Sequence, residues 1–138
     1  MKHTQTNHYV NMFFIMVLSG LLSTMNVWVD KVEDIRFSIN DVYMTLLMTG
    51  WMFLFMGWME QEIAIFFIGI ALVGINIICI RTQFLVTESQ YRLGMIPHHS
   101  MALHMSKKLL EKENTITTFM KELIETQEKE IEFLKSIR

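Results

Sequence analysis

Three long uncharged stretches dominate the first part of the chain. They cover residues 9–29, 42–59 and 63–80 and are 21, 18 and 18 residues long. A helix of about 20 apolar residues crosses the hydrocarbon core of a bilayer, and about 17 residues is the lower limit. No Ala-x-Ala-like site follows the first stretch, so we interpret it as a span rather than a signal peptide. The pattern predicts three transmembrane helices in a lipid bilayer.

The pattern becomes amphipathic after the third stretch. Residues 87–138 hold eight of the twelve Lys and Arg residues and eight of the fourteen Asp and Glu residues. We expect a short helix that begins at Glu88 and leads into Pro97. Proline suits the first turn of a new helix, because its missing N–H costs nothing there. That second helix runs to about Lys112, and a last helix reaches Ile137.

The apolar positions of the last two helices follow the alternating spacing of a packing seam. The seam positions are Ile116, Met120, Leu123, Gln127, Glu130, Leu134 and Ile137 on the last helix, and His98, Ala102, Met105 and Leu109 on the helix before it. Helices joined by a short link pack antiparallel, and this register places His98 opposite Glu130. The chain is therefore predicted to be all-α, with a membrane domain over residues 1–86 and an antiparallel helical hairpin over residues 87–138.

Polar residues in a seam need partners, because an unpaired buried polar group is costly. One interpretation is a structural hydrogen bond between His98 and Glu130 that sets the register, with Gln127 bonded to the backbone. The other interpretation is a metal site centred on His98.

Residues 95–105 contain three histidines and three methionines within eleven residues. Imidazole is the commonest transition-metal ligand, and the Met thioether favours Cu(I). Neighbouring helical residues point about 100° apart, so His99 would border a site centred on His98, and His104 would face solvent. The candidate ligands are His98, His99, Met95, Met101, Met105 and Glu130.

A second methionine pattern lies in the second uncharged stretch. Met44, Met48, Met52 and Met56 recur every four residues and form a stripe along one side of a helix. The stripe is either ordinary lipid-facing or packing methionine, or a ladder of thioethers that passes Cu(I).

The composition excludes several classes of function. The net charge of −2 and the lack of a basic stripe argue against a nucleic-acid partner. Cys79 is the only cysteine, so the chain has no disulfide framework. The residues offer no nucleophile–base–orienter set and too few Glu and His residues at the right spacing for a di-iron site. We therefore do not expect an enzyme.

The distribution of basic residues predicts an orientation. Lys31, Arg36, Arg81 and Arg92 flank one side of the predicted spans, and Lys2 flanks the other. The positive-inside rule then places the C-terminal segment in the cytoplasm.

The run Met95-Ile96-Pro97-His98-His99 with Met105, followed by Gln127-x-x-Glu130-Ile131, resembles the domain of unknown function 305 family. The resemblance implies a ferritin-like half-bundle anchored in a bacterial inner membrane, with the helical segment outside the cytoplasm, opposite to the charge-based orientation. On this resemblance the motif positions are His98, His99 and Met105, with Gln127 and Glu130 on the second helix. Leu134 stands where many members have Met, and His104 where an acidic residue is common.

These observations suggest a membrane protein whose hairpin binds copper or a similar soft metal ion for homeostasis. One alternative is Cu(I) transport along the methionine stripe, since three spans with such a stripe are similar in outline to the high-affinity copper transporter family. Another is a metal-free structural or interaction module. A homo-oligomer formed through the hairpin is compatible with all three.

Overall fold

The part of the chain that the computed structural model describes, residues 2–137 with side chains from residue 7, is entirely helical. Two short 3₁₀ helices, Met25–Trp28 and Val32–Asp34, lie between the first two α-helices. The α-helices are α1 (Lys2–Leu22), α2 (Ile39–Met59), α3 (Ile63–Thr82), α4 (Glu88–Leu110) and α5 (Thr117–Ser136). No strand occurs in residues 2–137, which confirms the predicted all-α class.

Three stretches are long and apolar enough to cross a membrane: Asn7–Trp28, Ile39–Met59 and Ile63–Thr82. They coincide with the three uncharged stretches of the sequence. The first differs in detail, because α1 ends at Leu22 and residues 25–28 form a 3₁₀ helix instead of continuing the α-helix to residue 29.

The chain divides into two compact units. The first contains residues up to 24 together with residues 39–86, and the second contains residues 25–38 together with residues from 87 onward. The sequence pattern places residues 25–38 with the spans, whereas the structure groups them with the C-terminal helices. The reason is a set of ion pairs between distant residues, which no local pattern reveals.

Glycines allow α2 and α3 to approach closely in the first unit. A Cβ atom added at Gly57 would lie against the backbone of Phe66, and one added at Gly69 would lie against the backbone of Leu54. A Cβ added at Gly50 would come within 2.9 Å of the backbone N of Val73. Small residues permit such close packing between apolar helices. In a lipid environment, where the hydrophobic effect does not drive helices together, this close packing stabilises their association.

In the second unit, α4 continues through Pro97 instead of breaking there. Thr87 caps the helix, and its hydroxyl accepts a hydrogen bond from the Gln90 N–H at 3.4 Å. The predicted division into two helices at Pro97 is therefore wrong. Proline inside a helix removes one backbone hydrogen bond, and here the Pro97 side chain is fully buried, so its packing offsets part of that loss.

Candidate functional site

The buried side of α4 differs by one residue from the predicted seam. Ile96, His99 and Leu103 are buried, whereas His98 is exposed and Met105 is 53% exposed. The reason is that α4 packs against residues 25–38 as well as against α5, which rotates its covered side away from His98.

His99, and not His98, contacts Glu130. The Nδ1 atom of His99 lies 2.9 Å from Oε2 of Glu130. His99 is 9% exposed, and the contact has the distance of an ion pair without the alignment of a hydrogen bond, since Nδ1 has no hydrogen-bond partner. The predicted His98–Glu130 pairing is thus wrong by one residue.

Gln127 holds the carboxylate of that pair. Its Nε2 donates to Oε2 of Glu130 at 3.0 Å, whereas the sequence interpretation has Gln127 bonded to the backbone. The same carboxylate oxygen therefore faces both Gln127 and His99. This arrangement fixes the position of the Glu130 side chain on the edge of α5.

His98 lies instead on the open face of α4. It makes no hydrogen bond or ion pair with the part of the chain that the structure describes, and its ring stands edge-on to that of His99 at 5.8 Å between centroids. On a helix, Met95, Met101 and Met105 fall within about 60° of His98. Met95 and Met101 are half-buried and Met105 is exposed. We call His98, Met95, Met101 and Met105 the His/Met face.

The usual ligand sets of zinc and iron sites, which consist of His, Cys, Asp and Glu, are not assembled in the described residues. No group of three or more His, Cys, Asp or Glu side chains in that range is placed to hold a metal ion. The structure separates the six candidate ligands into the His/Met face and the His99–Glu130 pair.

The methionine stripe of α2 lies on the surface of the first unit. Met44 and Met48 are 52% and 46% exposed, and Met52 and Met56 are half-buried. The residues of α2 that pack against α3 lie on the opposite side of the helix, around Gly50.

The sequence analysis missed a cluster of charged residues, with the buried carboxylate of Asp34 at its centre, between residues 25–38 and the two C-terminal helices. Asp34 is 1% exposed; its Oδ2 accepts a hydrogen bond from Ser100 Oγ at 2.6 Å, and its Oδ1 lies 2.5 Å from Nζ of Lys135. Ser100 Oγ in turn accepts from the backbone N–H of Asp30 at 2.9 Å. Lys107 pairs with the Asp30 carboxylate at 2.7 Å. We call Asp30, Asp34, Ser100, Lys107 and Lys135 the docking cluster.

Comparisons with known proteins place the chain in a family. Residues 82–138 match the family described as Domain of unknown function (DUF305). Uncharacterized protein L153 of Acanthamoeba polyphaga mimivirus is 38% identical over 141 residues, which cover 92% of this chain and 91% of that protein. The chain belongs to the DUF305 family. No solved structure matches it.

The DUF305 segment contains α4 and α5 but not the acidic side of the docking cluster. Asp30 and Asp34 precede the matched residues 82–138, whereas Ser100, Lys107 and Lys135 lie within them. The alignment with the mimivirus protein covers 92% of this chain, so the similarity extends beyond the DUF305 segment into the apolar helices.

The lysines of the docking cluster are held in their charged form. The hydrogen bond to Asp30 raises the pKa of Lys107. Desolvation lowers the pKa of Lys135, but its bonds to Asp34 and Glu33 outweigh that effect and leave the pKa raised. A lysine whose pKa is raised by folding stabilises the folded state when the pH is below the ordinary pKa of 10.5. That stabilisation is lost as the pH rises through the pKa of the folded state.

Alkaline pH is therefore expected to release residues 25–38 from the DUF305 segment. The unfolding midpoint of the full chain, measured in detergent by circular dichroism, should lose the contribution of these pairs only above about pH 10. The double variant Lys107→Met, Lys135→Met should start lower and lack this alkaline step. An equal alkaline loss in the double variant would show that other groups cause it.

Proposed function

We propose that the chain is an integral membrane protein in which α1, α2 and α3 span the bilayer. Two sets of contacts support this topology. Three crossings place residues 25–38 and the DUF305 segment on the same side, as the pair of Lys107 with Asp30 requires. They also place the start of α1 beside the turn after α2, where the Tyr9 hydroxyl donates to Glu60 Oε2 at 2.6 Å.

The DUF305 segment is proposed to be an antiparallel hairpin that corresponds to half of a ferritin-like bundle. Leu93 and Ile96, in the first half of α4, line one cleft with Leu134 near the end of α5. Leu103, further along α4, lies near Glu128, an earlier residue of α5. This opposite order along the two helices is the pattern of an antiparallel pair.

The function that we propose is binding of a soft metal ion, with Cu(I) as the favoured species. The observation that carries this proposal is the His/Met face, where one imidazole and three thioethers share one side of α4. Soft thioether ligands select Cu(I), whereas Zn²⁺ sites use Cys, His and carboxylates. Zinc and di-iron sites are built from His, Cys, Asp and Glu, and the described residues contain no group of three such side chains placed to hold a metal ion, so the donor set fits Cu(I) better.

His98 is proposed as the central ligand, with thioether donors from Met101 and Met105. The His99–Glu130 pair then has a structural role next to the metal. The bound ion would supply no chemistry beyond coordination, so the activity is sequestration of copper beside the membrane.

The ligand assignment makes a clear prediction. In the full chain, His98→Ala is expected to weaken Cu(I) binding at least about tenfold. The reason is that loss of one ligand should cost at least roughly 1.4 kcal/mol of binding free energy, which corresponds to a tenfold change in affinity. Met105→Leu, which keeps the size of the side chain, should weaken binding in the same direction. The measurement is competition for Cu(I) against a chromophoric chelator.

Matched histidine variants separate binding from folding. His104→Ala lies outside the His/Met face and should leave the affinity unchanged. His99→Ala should lower thermal stability, because it removes the imidazole that packs against the Glu130 carboxylate, and should change the affinity little. Wild-type affinity in His98→Ala would eliminate this ligand assignment.

A metal-free interaction module is the second candidate, and the His99–Glu130 pair favours it. In that case the pair only sets the register of α4 on α5, a role known for polar residues in helix seams. The distinguishing result is a wild-type protein that binds no Cu(I) at micromolar concentration while His99→Ala still destabilises it.

A further inference from the structure

A cationic cleft lies in the second unit, away from the His/Met face. It has a volume of about 410 Å³ and lies between residues 25–38, α4 and α5. Its charged walls are Arg36, Arg92, Lys135 and Glu33, and its apolar side includes Ile96 and Leu134. Clefts that hold small ligands typically measure about 300–1,000 Å³.

Within residues 7–137, neither arginine of the cleft has a carboxylate partner, unlike its lysine. Lys135 is paired with Asp34 at 2.5 Å and with Glu33 at 3.2 Å. Arg36 instead donates from Nη1 to the backbone carbonyls of Glu33 and Ile35, at 2.8 and 2.7 Å. Those carbonyls are neutral, so no carboxylate among the described residues compensates the positive charge of Arg36.

Arg92 is the more informative of the two arginines. Its Nε atom is buried and has no hydrogen-bond partner. A buried donor without a partner costs free energy, more so when it carries charge. An anion in the cleft would satisfy this donor and compensate both guanidinium groups.

The Asn26 side chain holds the backbone of Arg36 in place at the edge of the cleft. The Asn26 side chain bridges to it twice, since Nδ2 donates to the Arg36 carbonyl at 2.7 Å and Oδ1 accepts from the Arg36 N–H at 3.0 Å. These bonds close residues 26–36 into a loop. The cleft wall is therefore preorganised, which lowers the entropic cost of binding a ligand.

We propose that this cleft binds a phosphate group, either that of an anionic phospholipid or free inorganic phosphate. A carboxylate has two oxygens, which one guanidinium fork can satisfy, whereas a phosphate presents more oxygens than one fork can reach. Two arginines on different walls therefore match phosphate. Arg36 lies three residues before the start of α2, so at most about 10 Å of chain separates it from the proposed span. A lipid headgroup is within reach at that position.

The test uses the full chain purified in a neutral detergent. Binding is measured with three separate probes, namely inorganic phosphate, phosphatidylglycerol and the zwitterionic phosphatidylcholine, by native mass spectrometry and by the shift in thermal unfolding. Arg92→Gln and Arg36→Gln are each expected to weaken binding at least about tenfold, because a hydrogen bond to a charged group contributes roughly 1.5–3 kcal/mol. Arg92→Lys, which keeps the charge but loses the fork, should bind with intermediate affinity.

Arg81→Gln is the matched control, because Arg81 is an exposed cation at the end of α3 that does not line the cleft. It should bind like the wild type. Binding of both phosphate and phosphatidylglycerol would identify the phosphate group itself as the ligand, and binding of phosphatidylglycerol alone would identify a lipid headgroup. The proposal is overturned if neither anion binds, if phosphatidylcholine binds equally well, or if Arg81→Gln weakens binding as much as Arg92→Gln. Should Arg92→Gln fail to fold, Arg36→Gln decides the outcome.

Discussion

Replacing Asp34 with Ala is expected to destabilise the second unit by about 2–4 kcal/mol. Asp34 is 1% exposed, and its two carboxylate oxygens face Ser100 and Lys135. Removal of the carboxylate leaves the fully buried Ser100 hydroxyl without its acceptor and leaves the Lys135 ammonium group with Glu33 alone. A buried polar group that loses its hydrogen-bond partner costs more than a lost surface pair.

The measurement is hydrogen exchange of the α4 and α5 amides in the full chain, which gives a local free energy of opening. Glu33→Ala is the matched control. Its side chain is 67% exposed and lies 3.2 Å from the same Lys135 ammonium group, so its loss should cost less than about 1 kcal/mol. A loss of the same size in both variants would mean that the buried carboxylate has no special role.

A double variant tests the pairing itself. If Asp34 and Lys135 stabilise each other, Asp34→Ala combined with Lys135→Met should cost less than the sum of the two single changes. Coupling between residues in direct contact is typically about 0.5–3 kcal/mol. Strict additivity would argue against the pair.

Adding one methyl group at Gly57 or Gly69 is expected to separate α2 from α3. At both positions the new Cβ atom would meet backbone atoms of the facing helix, which cannot rotate away as a side chain can. Overpacking of this kind costs about 1–3 kcal/mol and occasionally more. The expected loss exceeds the gain in helix propensity from Gly to Ala, which is about 0.5–1 kcal/mol.

Gly74→Ala is the control that the same helix supplies. A Cβ atom there would meet no heavy atom within 4 Å. Thermal unfolding in detergent, followed by circular dichroism, should show a lowered midpoint for Gly57→Ala and Gly69→Ala and an unchanged or raised midpoint for Gly74→Ala. Equal midpoints in all three variants would contradict the close approach of α2 and α3.

The helical class and the three apolar stretches could be read from the sequence because both depend on local pattern. Runs of 18 to 21 uncharged, mostly apolar residues strongly favour a long apolar helix. The predicted contact between α4 and α5 differed by one residue from the observed His99–Glu130 pair, and the spacing of apolar positions on α5 selected Met120, which is buried.

The choice between His98 and His99 depended on tertiary structure. Both residues belong to one motif and differ by about 100° around the helix. Which of them faces α5 depends on all the elements that pack against α4. Those elements include residues 25–38, which lie about 70 positions away from Ser100 in the sequence, as the Asp30–Ser100 hydrogen bond shows.

The sequence alone thus determined the helical class, the apolar stretches and the set of candidate donor residues, because local periodicity and side-chain chemistry specify them. The tertiary structure alone decided that Pro97 stays inside α4, that residues 25–38 dock on the C-terminal helices, and that the donors divide between a buried pair and an open face. Each of those outcomes is set by contacts between distant residues, and a linear pattern of polar and apolar positions holds no information on which distant partners meet.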